Sequence, residues 1–279
     1  MLSALALALS LNPVVEISAG EPARRDCSAQ KLTLRSTDPL TNGAFSVNAY
    51  RYLPKARNSD GMVIYPRSGG LTPFDRQLGG AACKRGLPSI VLADWTGSDD
   101  KSIDLEVHDR GLVRGVWARR LAASALRLER FFVAGTSLGG LFASVVAGTD
   151  PRAAGAALTV AGASTHEMLL NSNLTVLRKL EKVRRKTWGW SREDYERAIR
   201  ENVRFEVGTF ARADRHRDIF FVLAEDDATV PTSTQEELWR LWGKPSVLRL
   251  KLDHLGAILW TGLFVRDEIL DFAIDRFAR

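Results

Sequence analysis

Arg130-Phe131-Phe132-Val133-Ala134-Gly135-Thr136-Ser137-Leu138-Gly139-Gly140 opens with a short apolar run, passes three glycines placed around one serine, and continues into Leu141-Phe142-Ala143-Ser144-Val145-Val146-Ala147. The first segment has the length and composition of a buried strand, and the last that of a buried helix. Glycine is the residue that allows so sharp a bend and so close an approach of two backbones. The pattern G-x-S-x-G in this setting predicts a strand-turn-helix unit with Ser137 at the bend. Its hydroxyl then projects at the carboxyl end of the strand, and the Leu138 N–H lies at the positive end of the following helix.

Outward from that unit the rhythm repeats. Gly61-Met62-Val63-Ile64-Tyr65, Ser89-Ile90-Val91-Leu92-Ala93, Ala153 to Ala161, Asp218 to Ala224 and Ser246 to Leu252 read as strands. Most are continuous apolar runs, the signature of parallel strands buried on both faces. Helical patterns separate them at Phe74 to Arg85, Arg114 to Leu128, Leu138 to Ala147 and Thr232 to Trp242, and one runs from about Ala257 to the end. Ahead of this series, Lys31 to Arg35 and Phe45 to Tyr52 alternate apolar and polar side chains. Asp38-Pro39 and Asn42-Gly43 supply turn signals between them, so a hairpin opens the fold. Strand-helix-strand order predicts the α/β class, a mostly parallel sheet with helices on both faces.

The rhythm breaks between Thr165 and Arg217. Leu174 to Val183 and Arg192 to Val203 read there as amphipathic helices around Trp188-Gly189-Trp190, with Ser191 and Asp194 spaced as a capping box. The whole chain of 279 residues carries a net charge of +6. This stretch holds 13 Lys/Arg against 8 Asp/Glu, so it contains nearly all of the excess. Charge so distributed does not call for a nucleic-acid partner. Solvated helix faces account for it, with docking to a membrane surface as the alternative. The chain divides accordingly into a core, 31–164 and 218–279, and a helical insertion, 165–217, placed to cover the sheet edge and lined by Trp188 and Trp190. The ordinary apolar and charged fractions, 45% and 26%, exclude a disordered or fibrous chain.

A serine hydroxyl needs a base in reach to act as a nucleophile, and the base needs a carboxylate to orient it. His254 follows the strand ending at Leu252 and so lies at the same sheet edge as Ser137, whereas His108, His166 and His216 fall in loops or in the insertion. Glu225, Asp226 and Asp227 compete for the carboxylate, in the loop after the strand Phe220 to Leu223. With Ala224 to Pro231 the chain resembles the α/β-hydrolase superfamily, whose G-x-x-D-x-x-V-P loop is matched here except that Ala224 stands at the glycine. That resemblance implies Asp227 as the acid, the order Ser137, Asp227, His254, and a cap where the insertion lies. It further implies an oxyanion loop at Tyr65-Pro66-Arg67-Ser68-Gly69-Gly70, with the Ser68 and Leu138 N–H groups as donors. Arg67, Gly69 and Gly70 remain alternative donors, and Arg67 is also placed to meet an anionic substrate group. The expected chemistry is hydrolysis of small-molecule or lipid carboxylic esters, with peptides, thioesters, acyl transfer and ligand binding without catalysis as alternatives. No metal and no organic cofactor is implied.

Residues 1–20 hold the apolar run Met1 to Leu11, too short to span a bilayer, followed by Ser18-Ala19-Gly20 before Glu21. This reads as a signal peptide and predicts export to the periplasm or beyond, although no basic residue precedes the run. Cys27 and Cys83 are the only cysteines, and export would permit them to bridge.

Overall fold

The computed structural model describes residues 15–19, 26–56, 59–66, 70–95 and 102–279. Nine strands form one sheet: β1 (Glu16–Ala19), β2 (Gln30–Thr37), β3 (Ala44–Tyr52), β4 (Asp60–Tyr65), β5 (Ser89–Trp95), β6 (Arg130–Thr136), β7 (Ala153–Thr159), β8 (Ile219–Ala224) and β9 (Ser246–Leu250). Their spatial order is β1-β2-β3-β5-β4-β6-β7-β8-β9. The first three pair antiparallel, β3 meets β5 antiparallel, and from β5 across to β9 every pairing is parallel. The α/β reading of the sequence is therefore the fold.

The physical reason for the apolar runs is visible in the burial. Alternate residues of one strand serve two cores: Phe131 and Val133 face one, Phe132 and Ala134 the other. Helices α2 (Leu105–Ala125) and α3 (Leu138–Thr149) cover the first face. The other face is covered by α1 (Pro73–Lys84) and, near the carboxyl terminus, α9 (Arg266–Phe277). In the opening hairpin Leu32 and Leu34 of β2 lie against Phe45, Val47 and Ala49 of β3 on the buried side. Asn42 takes a φ of 58° in the turn, a conformation asparagine tolerates.

Between β7 and β8 the chain leaves the sheet for α4 (Thr165–Asn171), α5 (Thr175–Trp188) and α6 (Arg192–Asn202). The capping box at Ser191 and Asp194 forms as the sequence predicts, and Gly189 ends α5 with a φ of 66°. Helix α7 (Thr232–Leu241) then joins β8 to β9.

Four boundaries differ from the sequence reading. Helix α2 starts nine residues before Arg114, because Asp104 caps it and its polar first turns, including His108 and Asp109, are buried. The terminal helix is divided into α8 (His254–Trp260), a π-helical turn at Thr261–Val265, and α9. Helix α4 was not legible as a helix of its own. Glu16–Ala19, read as the end of a signal peptide, forms the short exposed edge strand β1; residues 1–14 and 20–25 lie outside the described residues. Among the described residues no helix is long and apolar enough to cross a membrane. Cys27 and Cys83 form a disulfide, Cα to Cα 5.5 Å, tying the segment before β2 to α1.

Candidate active site

Parallel strands deliver their carboxyl ends to one edge, and β6, β8 and β9 each release a loop there. Ser137 is the residue between β6 and α3. Its N–H donates to the Thr159 carbonyl of β7 (2.9 Å), and its own carbonyl accepts from the Leu141 N–H (3.0 Å). Held at both ends, it adopts φ 55° and ψ −123°, a sparsely populated conformation that costs on the order of 1–3 kcal/mol and persists only under such constraint. The neighbouring glycines make the bend fit. A Cβ at Gly135 would lie 2.2 Å from the Gly139 carbonyl oxygen, and one at Gly139 would lie 2.4 Å from that of Tyr65.

His254 is the first residue of α8, capped by Asp253, whose Oδ1 accepts from the Gly256 N–H at 2.7 Å. This fixes the imidazole between two partners. Its Nε2 lies 3.0 Å from Ser137 Oγ, and its Nδ1 lies 2.6 Å from Asp227 Oδ2. Asp227 is buried. Its Oδ1 accepts from the Thr229 and Val230 N–H groups (2.8 and 2.9 Å), and its Oδ2 also accepts from Gln235 Nε2 (2.9 Å). Four donors around one carboxylate hold it to a single rotamer. The competing Asp226 is exposed, its backbone N–H bonded to Leu252.

Gln235 is a member of this network that the sequence did not reveal. It is fully buried on α7, its Oε1 accepts from the Ala224 N–H (3.1 Å), and its Nε2 donates to both Asp227 and the Val230 carbonyl. It thereby clamps the end of β8 to the loop that carries the acid.

Leu138 opens α3, so its N–H has no acceptor within the helix. Arg67 and Ser68, the other residues predicted for this loop, lie outside the described residues, as does Gly69. At the end of β4, burial pushes the Tyr65 phenol well above its ordinary pKa, against the opposing pull of Arg119, whose guanidinium lies 4.9 Å from the ring centre.

A cavity of about 300 Å³ reaches Ser137 and Leu138 from beneath α4 and α5. Trp188 and Trp190 are not part of its lining, contrary to the expectation from sequence. Leu180 of α5 faces the cavity, and Trp188 lies eight residues farther on, about 12 Å along the helix. The two indoles instead stack on each other at 4.7 Å, with Trp188 40% exposed. His108, expected in a loop, belongs to α2 and is a buried part of the cavity wall. His166 bonds Glu206 and the Val203 carbonyl.

No protein-family model matches the sequence, and no curated protein matches it by sequence. Solved structures do match by shape. An acetyl xylan esterase from Paenibacillus sp. R4 superposes with a TM-score of 0.68 at 13% identity, over 96% of this chain and 92% of that one. Acetyl xylan esterase 1 from Thermoanaerobacterium sp. JW/SL YS485 gives 0.60 at 14%, over 97% and 91%. Est1E from Butyrivibrio proteoclasticus gives 0.59 at 14%, over 84% and 96%. Likeness at this level of identity concerns the fold.

Proposed function

We propose that this chain, which has the α/β-hydrolase fold, is a serine hydrolase of carboxylic esters. The observation that carries the reading is the continuous hydrogen-bonded line from Ser137 Oγ through His254 to the buried Asp227, with Ser137 in its constrained backbone bend. That two of the superposing structures are acetyl xylan esterases supports an ester as the substrate class.

In this reading His254 Nε2 takes the Ser137 proton as Oγ attacks the ester carbonyl. Asp227 holds the imidazole in the required tautomer and stabilises its protonated form. The Leu138 N–H, joined by that of Ser68, stabilises the oxyanion. The imidazolium returns its proton to the departing alcohol oxygen, leaving an acyl group on Ser137. A water then gives its proton to His254, attacks the acyl carbonyl, and releases the acid and free Ser137. Residues 165–217 act as the cap over Ser137, and the substrate is a small-molecule or lipid ester. Arg67, in the loop after β4, remains the candidate contact for an anionic group.

The Cys27–Cys83 bridge supports export, since disulfides persist in oxidising compartments. Cleavage before Glu21 removes β1 and makes β2 the edge strand, whose exposed Lys31 and Arg35 discourage edge-to-edge pairing.

Hydrolysis of p-nitrophenyl butyrate tests the reading. Ser137→Ala is expected to lower kcat by a factor on the order of 10³ or more while the melting temperature holds. Equal turnover by the variant and the native chain would sink the assignment.

A further inference from the structure

The cavity beside Ser137 has a chemical character of its own. About 300 Å³ of space is walled mainly by aliphatic side chains, and Met168, Leu177 and Leu180 of the insertion supply much of that wall. Among the described residues no Asp, Glu, Lys or Arg contributes to it, and His108 is the one titratable side chain in its wall. The lysines of α5 are sorted to the other side: Lys179, Lys182 and Lys186 are exposed, while Leu180 is buried, and the buried Arg184 donates to the Ser102 and Ile103 carbonyls. Helical spacing accomplishes this, because Leu177 and Leu180 share one face and the lysines fall on another. Among the described residues, no Lys or Arg of the insertion lines the cavity.

Which half of an ester fits there follows from the position of the base. His254 must hand its proton to the oxygen that leaves, so the leaving group lies on the His254 side of Ser137. Ser137 and Leu138 belong to the cavity wall, whereas His254 does not. The cavity is therefore on the side of the group that stays attached to Ser137.

We propose that this chain is selective for esters of uncharged, apolar acids of about six to ten carbons, with Met168, Leu177 and Leu180 acting as the ruler of acyl length. The inference rests on the serine-hydrolase reading and goes beyond it. Size sets the range: at roughly 30 Å³ for each water-sized group, the cavity holds on the order of ten methylene-sized groups. An acetyl group leaves most of it unfilled. Each added methylene that enters raises kcat/KM by up to about fourfold, and the gain stops when the cavity is full.

The test is kcat/KM of the full chain on p-nitrophenyl esters from acetyl to tetradecanoyl, beside Leu180→Trp, Leu177→Trp and Leu180→Ala. Reaction of Ser137 with a small fluorophosphonate is scored on the same samples, and the melting temperature checks folding. The expected profile rises at least tenfold from acetyl to an optimum between six and ten carbons and then falls. Each tryptophan variant should lower the octanoyl-to-acetyl ratio at least tenfold, and Leu180→Ala, which keeps the fold if tryptophan does not, should move the optimum to longer chains. A profile that falls steadily from acetyl in protein whose Ser137 reacts with the probe overturns the acyl cavity alone. So does an optimum that none of the variants moves. Failure of Ser137 to react in folded protein overturns the hydrolase reading, and this inference with it.

Discussion

Ser137, His254 and Asp227 come together because each lies just past the carboxyl end of a strand, in a segment whose backbone is held independently of the others. Ser137 is fixed by Thr159 and Leu141, His254 by the Asp253 cap, and Asp227 by its own turn. Such local devices leave traces in the sequence, as glycines, a helix cap, and a carboxylate followed by Val-Pro, and so these three positions were legible. Gln235 left none, because a glutamine on the buried face of a helix has no motif and its value comes from groups brought near by folding. Its substitution makes a specific prediction. Gln235→Leu removes a donor from Asp227 and orphans the buried Ala224 N–H, costing about 1–3 kcal/mol of stability. With the imidazole less firmly oriented, kcat should fall on the order of tenfold while KM on a short ester stays nearly constant. Unchanged kcat in folded protein would assign Gln235 a structural role only.

At the level of elements, the strands were read closely and the insertion only in outline. Strand burial follows from composition, whereas the direction in which an amphipathic helix points depends on what lies beneath it. The Trp188 and Trp190 pair illustrates this: apolar aromatic residues between two helices suggested a lining, yet α5 had already turned its leucines to the cavity and carried the indoles past it. The start of α2 escaped for a related reason. His108 was expected in a loop, but it and Asp109 are buried, and Asp109 accepts the Arg204 and Phe205 N–H groups of the insertion at 2.9 and 2.8 Å. Across the insertion, His166 on α4 bonds Glu206 Oε1 at 3.0 Å, and this hydrogen bond raises the histidine pKa above its ordinary value against the opposing effect of burial. A raised value means that the fold prefers the charged imidazole. The stabilisation is complete below the ordinary histidine range and is lost as pH rises through the raised pKa. The pair is partly solvated, so the effect is on the order of 1 kcal/mol or less. Urea midpoints measured from pH 5 to 9 should decline more steeply for the native chain than for His166→Phe, and parallel curves would remove His166 from the account.

For the molecule as a whole, strand order does what no single motif can. Because β5, β4, β6, β7, β8 and β9 run parallel, residues as far apart in the chain as Ser137 and His254, a separation of 117, meet at one edge. Repetition of strand and helix in the sequence was enough to foresee that edge, since few topologies satisfy it. The order in which β4 and β5 cross was not readable, because apolar runs of equal length carry no label for their neighbours. Nor was the state of the cysteines, which depends on α1 packing beside the segment before β2. The bridge closes a loop with a sequence separation of 56, worth about 4 kcal/mol by chain entropy, and so stabilises the face opposite α2 and α3. The central claim is that this architecture makes Ser137 a nucleophile, and labelling the purified chain with a fluorophosphonate, with the adduct mapped by mass spectrometry, tests it most directly. One adduct per chain is predicted, on Ser137, absent from Ser137→Ala and strongly slowed in His254→Ala. Folded native protein that takes no label, or takes it at another residue, would contradict the claim.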